Sequence, residues 1–123
     1  MRALGELEER VMGILWRLDR PATVREVRTE LNRDTRLAYT TVMTVMERLW
    51  RKGLLERRSQ GRAFEYVPVS SEAEHTAELM HQVLSGTRDR RNALAHFVRG
   101  MKKSQEADLL RLAGEITRRK RGR

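Results

Sequence analysis

Apolar residues recur along the first third of this chain at helical spacing. Leu4, Leu7, Val11, Ile14 and Leu18 fall three and four residues apart, which predicts an amphipathic helix over 4–18. Pro21 closes it. Thr23 stands three residues before Glu26, the spacing of a capping box, and Val24, Val27 and Leu31 give a second helix one apolar stripe. A polar loop, NRDTR, leads into AYTTVMTVMERLWRK, where Ala38, Val42, Val45, Met46 and Leu49 lie along one face. Gly53 is a natural stop for this third helix.

The pattern then changes period. Leu54 to Arg58 and Ala63 to Val67 are short extended runs around Ser-Gln-Gly-Arg, a glycine-containing hairpin turn, and Pro68 ends the second run. Three helices and a β-hairpin within residues 1–69 predict a mainly α fold that opens with a winged helix-turn-helix domain. Helical spacing returns afterwards. Ser71 and Glu74 repeat the capping-box spacing, and Ala73, Ala77, Met80 and Leu84 share a face until Gly86. Leu94, Phe97, Val98 and Met101 mark a further short helix, and Ser104 caps another that carries Leu109, Leu112, Ala113 and Ile116. These three helices, residues 70–117, hold too few large apolar side chains to close a core alone. A second copy of the chain is the expected partner, with Met80, Leu84, Leu94, Phe97, Val98, Leu109, Leu112, Ala113 and Ile116 as the dimerisation surface. The alternative is a tail folded back on its own N-terminal domain. Residues 118–123 form a basic tail, TRRKRGR counting Thr117, which is either a frayed solvated end or an electrostatic arm.

Charge narrows the partner. The 123 residues include 26 Lys and Arg against 17 Asp and Glu, a formal net charge of +9, which favours a polyanion such as nucleic acid. Cysteine is absent, excluding disulfides, thiol catalysis and cysteine-ligated metal. No apolar run approaches the ~18 residues of a membrane span, and MRALGELEER lacks the apolar core of a signal peptide. Membrane insertion is therefore not expected, and a cytoplasmic protein is. No nucleophile elbow, phosphate loop or dinucleotide fingerprint occurs, so neither an enzyme nor a cofactor is expected. Glu72-x-x-His75 and Glu78-x-x-His81 imitate a metal-binding pair, but six residues on one helix place them about 240° apart. Solvated or interface histidines, and no metal, are the expectation. Trp16, Trp50, Met12, Met46 and Met80 are expected in cores.

The third helix carries the chemistry. Advancing about 100° per residue from Val42 puts Thr40, Thr44, Glu47 and Arg51 opposite the apolar set, with Thr41 and Arg48 flanking. That outer face is short and hydroxylated at its start and cationic at its end. A recognition helix needs this gradient. Short side chains approach base edges and thymine methyls, while longer cations reach the bounding phosphates. Arg48, Arg51, Lys52, Arg57, Arg58 and Arg62 crowd residues 48–62 against Glu56 alone, with Arg62 at the hairpin tip. Glu47 either accepts from a cytosine amino group or orients Arg51. The expected DNA-contacting residues are Tyr39, Thr40, Thr41, Thr44, Glu47, Arg48, Arg51, Lys52 and Arg62.

LGELEERVMGILW, LAYTTVMTVMERLWRKGLLERRSQGRAFEY and NALAHFV together resemble the BlaI/MecI (penicillinase repressor) family of bacterial transcription regulators. Tyr39 to Leu54 and the Gly61 to Tyr66 wing are the most specific segments, and the resemblance spans nearly the whole chain. It implies a homodimeric repressor on a promoter-overlapping operator of dyad symmetry with TACA-type half-sites. It also implies a membrane-bound sensor protease that cuts the dimerisation region, here between His96 and Phe97. The family's β-lactam-responsive members carry asparagine where this chain has His96. A copper-sensing branch with a cysteine-rich C-terminus is excluded by the lack of cysteine. Two other readings of the basic winged helix stand beside the repressor: a protein that coats DNA without sequence choice, and a winged-helix protein-interaction module.

Overall fold

The computed structural model describes residues 4–122. Its elements run α1 (Glu6–Leu18), β1 (Ala22–Thr23), α2 (Val24–Leu31), α3 (Tyr39–Arg51), β2 (Leu55–Gln60), β3 (Ala63–Pro68), α4 (Glu72–Ser85), α5 (Arg90–Arg99) and α6 (Lys103–Arg121). The fold is mainly α, with three helices and a hairpin wing followed by three further helices. Two compact units divide the chain between Met80 and His81, so the opening turns of α4 belong with the wing.

In the first unit the apolar stripes of α1, α2 and α3 converge. Val11, Leu15, Val27, Val42, Met46 and Leu49 expose no surface, and Leu54, Leu55 and Tyr66 close the core from the wing side. Local chemistry sets the boundaries. The helix α1 starts after Gly5, whose N–H donates to the Glu8 carboxylate at 3.0 Å, leaving Leu4 to pack against the core ahead of the helix. It ends at Leu18 because Asp19 turns left-handed (φ 52°) and donates its N–H to the Leu15 carbonyl. Pro21 comes after the helix has already stopped. The Thr23–Glu26 capping box forms as its spacing predicts, with both reciprocal bonds at 3.1–3.2 Å.

The sheet has order β1-β3-β2, and its first strand is unheralded in the sequence. Ala22 and Thr23 pair with Tyr66 and Glu65 of β3, an element of two residues that no alternation could announce. The hairpin pairs Leu55 with Pro68 through Gln60 with Ala63, around a turn where Gly61 takes φ 61°. Trp16 and Trp50 both lie half-buried against the edge of the core rather than inside it. His75 is buried, contrary to a solvated placement, because its ring packs on Trp16 at 5.3 Å; the Trp16 Nε1–H donates to the Ser70 carbonyl at 2.9 Å.

From His81 onward the helices expose what a core would bury. Among the described residues α5 and α6 bury nothing. Leu94, Phe97, Leu109, Leu112 and Ile116 are 43–55% exposed, Val98 and Ala113 are exposed, and Leu84 is half-buried. Met80, the last residue of the first unit, is also exposed and is not a core residue. Ser104 does not cap α6. Lys102 holds the N-cap position, its N–H donating to the Gln105 side chain at 3.0 Å, so Ser104 falls inside the first turn. Nor is the basic tail frayed at Arg118 to Arg121, which form the last turn of α6, where cations suit the helix dipole. The start of the first domain, residues 1–3, and Arg123 of the tail lie outside the described residues.

Candidate nucleic-acid interface

Two side chains of the preceding segment position α3. The Asn32 carboxamide oxygen accepts the Leu37 N–H at 2.9 Å, and Arg28 Nε donates to the Leu37 carbonyl at 3.0 Å. Leu37 thereby packs on the core, and Ala38 becomes the exposed N-cap instead of a member of the buried stripe. At the far end Gly53 takes φ 82°, its N–H bonding to the Trp50 carbonyl and that of Leu54 to the Leu49 carbonyl. This is a Schellman stop, and only glycine takes the left-handed position without strain.

Tyr39, Thr40, Thr41, Thr44, Arg48 and Arg51 are exposed along α3, and Glu47 is half-exposed. The Thr44 hydroxyl donates to the Thr40 carbonyl at 2.8 Å, so its proton is committed and its lone pairs remain to accept. Glu47 accepts from Arg51 at 3.1 Å, which is the orienting role rather than a free carboxylate. Met43 shares this exposed side and escaped the sequence reading, although its place 100° from Val42 was available from the same projection.

Charge is partly paired across the unit. Two arginines away from α3 are neutralised locally: Arg17 of α1 by Glu30, and Arg20, between α1 and β1, by Glu26, each at 2.7 Å. On the wing, Arg58 pairs with Glu65 at 3.2 Å. Among the described residues Arg48, Arg57 and Arg62 enter no ion pair, and Arg62 is exposed beside Gly61 at the hairpin tip. Arg25, Arg28 and Arg36 also lack an ion pair among the described residues, so uncompensated cations are not confined to α3 and the wing, but Arg48, Arg57 and Arg62 place three of them there.

Lys52 stands apart from the other expected contacts. Its ammonium donates to both Glu8 oxygens, at 2.8 and 3.1 Å, and so ties the end of α3 to α1. Glu8 interrupts the apolar stripe between Leu4 and Val11, the one sequence signal for this pair. Burial raises the Glu8 pKa. The Lys52 and Gly5 hydrogen bonds and the charges of Lys52 and Arg48 outweigh it, leaving the carboxyl below its ordinary 4.5. A depressed folded pKa adds stability that is fully present above about 4.5 and lost as pH falls through the lower folded value. Glu8→Gln should therefore cost roughly 1–3 kcal/mol near neutrality. In urea titrations from pH 7 to 3 the gap from the parent should close below the ordinary value. A gap independent of pH would remove the ion pair from the account.

The family model of the penicillinase repressors matches residues 4–118. The chain belongs to the penicillinase repressor family. Within it, the transcriptional regulator BlaI of Mycobacterium tuberculosis is 44% identical over 113 residues, which cover 89% of this chain and 81% of that protein. The penicillinase repressor of Bacillus licheniformis is 29% identical over 82 residues, 67% of this chain and 63% of its own. The solution structure of the DNA binding domain of the repressor BlaI superposes with a TM-score of 0.52 at 28% identity, covering 60% of this chain and 93% of that domain. Among the described residues of this penicillinase-repressor family member, no helix is long and apolar enough to cross a membrane.

Proposed function

We propose that this chain is a cytoplasmic homodimeric repressor that reads an inverted-repeat operator in double-stranded DNA. The observation that carries this is the outer face of α3, where exposed threonines precede Arg48, which enters no ion pair among the described residues, and Arg51, which Glu47 orients. Tyr39, Thr40, Thr41 and Thr44 take base edges and adjoining sugar-phosphate. Arg48, Arg51 and Arg62 take phosphates, Glu47 orients Arg51, and Lys52 holds α3 in place through Glu8. The winged domain is assigned to residues 1–69, dimerisation to 70–117 and a basic end to 118–123. The exposed apolar side chains of α5 and α6 support a second copy as the partner. Membership of a family of transcriptional regulators supports a non-catalytic role.

Regulation belongs to the same reading. The His96–Phe97 bond lies in α5, a helix with no buried residue, and such helices open locally at small cost, as a protease requires. A membrane-bound sensor protease is the partner proposed to cut it. A chain that stays intact in its own cells under cell-wall antibiotics, while its target genes are induced, contradicts this arm.

Selection from random duplexes tests the main reading. Enrichment of a palindrome with half-site centres about one helical turn apart is expected. Binding without enrichment would indicate DNA coating, and no binding would indicate a protein-interaction module. Thr44→Val then tests base reading, since it removes the accepting hydroxyl and keeps the shape. Operator affinity should fall by about 1 kcal/mol, less than a bidentate contact would cost, with random-duplex affinity unchanged. Equal losses on both duplexes would remove Thr44 from the reading set.

A further inference from the structure

Arg57 lies opposite Tyr66 in the β2–β3 register. Directly opposed residues share a face of the sheet. Arg57 is therefore on the side of the wing that carries buried Tyr66, while its neighbour Arg58 pairs with Glu65 on the other side. A half-buried guanidinium on the core side of a strand calls for a compensating charge, and among the described residues no ion pair supplies one. Two aromatic rings stand in its place. The Arg57 Cζ lies 3.4 Å from the centre of the Trp50 ring and 4.1 Å from that of Phe64. The first distance is that of a flat stack on the indole.

This arrangement has a chemical consequence. Stacking engages the π faces of the guanidinium, while all five of its N–H donors lie in the plane and point outward. A carboxylate partner would consume those donors; aromatic rings leave them available. The rings also fix the plane, because Trp50 comes from the end of α3 and Phe64 from β3. The side chain is thus immobilised before any ligand arrives, at the junction of the third helix and the wing. A planar fork of fixed direction matches two oxygens of a phosphodiester.

Resting on the DNA-binding reading above, we infer that Arg57 is a preorganised phosphate contact. Trp50 and Phe64 act as positioning residues that aim its guanidinium at the DNA backbone between α3 and the wing. Arg57 thereby joins the two elements into one contact surface. Its charge counts toward counterion release, and its fixed orientation adds affinity beyond that charge.

The test uses the full chain and a fluorescein-labelled random-sequence duplex of roughly 30 base pairs, long enough for two half-sites one turn apart. Binding is followed by anisotropy across a salt series. Arg57→Gln should weaken binding and lower the slope of log K against log salt by about 0.9 for each protomer engaged. Phe64→Leu, which removes one of the two rings, and Arg57→Lys, which removes the planar guanidinium, keep the charge. Both should bind several-fold more weakly with the slope retained, which separates aiming from charge. Circular dichroism and thermal melts confirm that each variant is folded. In the free protein, ring currents should displace the Arg57 side-chain N–H resonance, and duplex should move it again. Arg57→Gln that melts earlier yet binds with parental affinity and slope would overturn the inference, leaving the stack as wing-to-helix packing. A parental chain that binds no duplex would instead overturn the DNA-binding reading itself.

Discussion

Leu112→Glu is expected to convert the protein to a monomer that keeps its winged domain folded and loses its operator. Leu112 is 55% exposed on α6, with Leu109, Ala113 and Ile116 near it at helical spacing and Leu94, Phe97 and Val98 exposed on α5. Side chains of this size each contribute about 1.5–3 kcal/mol when taken out of water, and here the protomer leaves them wet. In a symmetric dimer the substitution enters twice and brings an unpaired carboxylate into the interface, at several kcal/mol unless it is protonated. A rise of at least 100-fold in the dimer dissociation constant follows, equivalent to roughly 2.7 kcal/mol. Sedimentation velocity should show the mass halve at micromolar concentration. Affinity for an inverted repeat should fall toward that for a half-site, while half-site affinity itself stays put. A parental chain that already sediments as a monomer, or a variant that remains dimeric, would refute the assignment of this surface.

Leu49→Ala should have a comparably large effect by a different route. Leu49 exposes no surface and lies on the buried face of α3, with its carbonyl accepting the Leu54 N–H of the Schellman stop. Truncating a fully buried leucine costs about 2–5 kcal/mol through lost transfer energy and the cavity left behind. Against a typical total of about 5–15 kcal/mol this is a large fraction, and it should lower the melting temperature by roughly 10 °C or more. Met43→Ala, on the exposed side of the same helix, should change stability by no more than about 0.5 kcal/mol. Thermal melts at one fixed protein concentration make the comparison, because any dimer couples stability to concentration. Equal losses at the two positions would mean that α3 is not seated as described.

The two α3 positions show why this helix could be read before folding. Apart from Met43 its buried and outward sides differ in residue type, and a helix converts that difference into direction without help from the rest of the chain. Met43 was overlooked because a lone apolar residue on a polar face makes no pattern of its own. Ala38 misled because projection assumes helical geometry, whereas the Asn32 and Arg28 bonds to Leu37 start the helix one residue later. Family membership reinforced the outline but says nothing of the aromatic seat under Arg57.

The chain's own short-range chemistry was sufficient for the helices and the hairpin and for some of their ends. Apolar spacing of three and four marked the helices, Thr23–Glu26 and Ser71–Glu74 closed their capping boxes, and Gly53 stopped α3. Each of these joins residues within a turn of one another, so the partner is written nearby. Other features had to wait for the fold. Lys52 meets Glu8 across 44 residues, Trp16 meets Ser70 across 54, and β1 exists only because β3 lies beside it. Arg57 looked like any surface cation until two elements placed rings against it. Short-range pattern states which residues want burial or a counter-charge; which distant group supplies it depends on how the helices and wing close over a shared core.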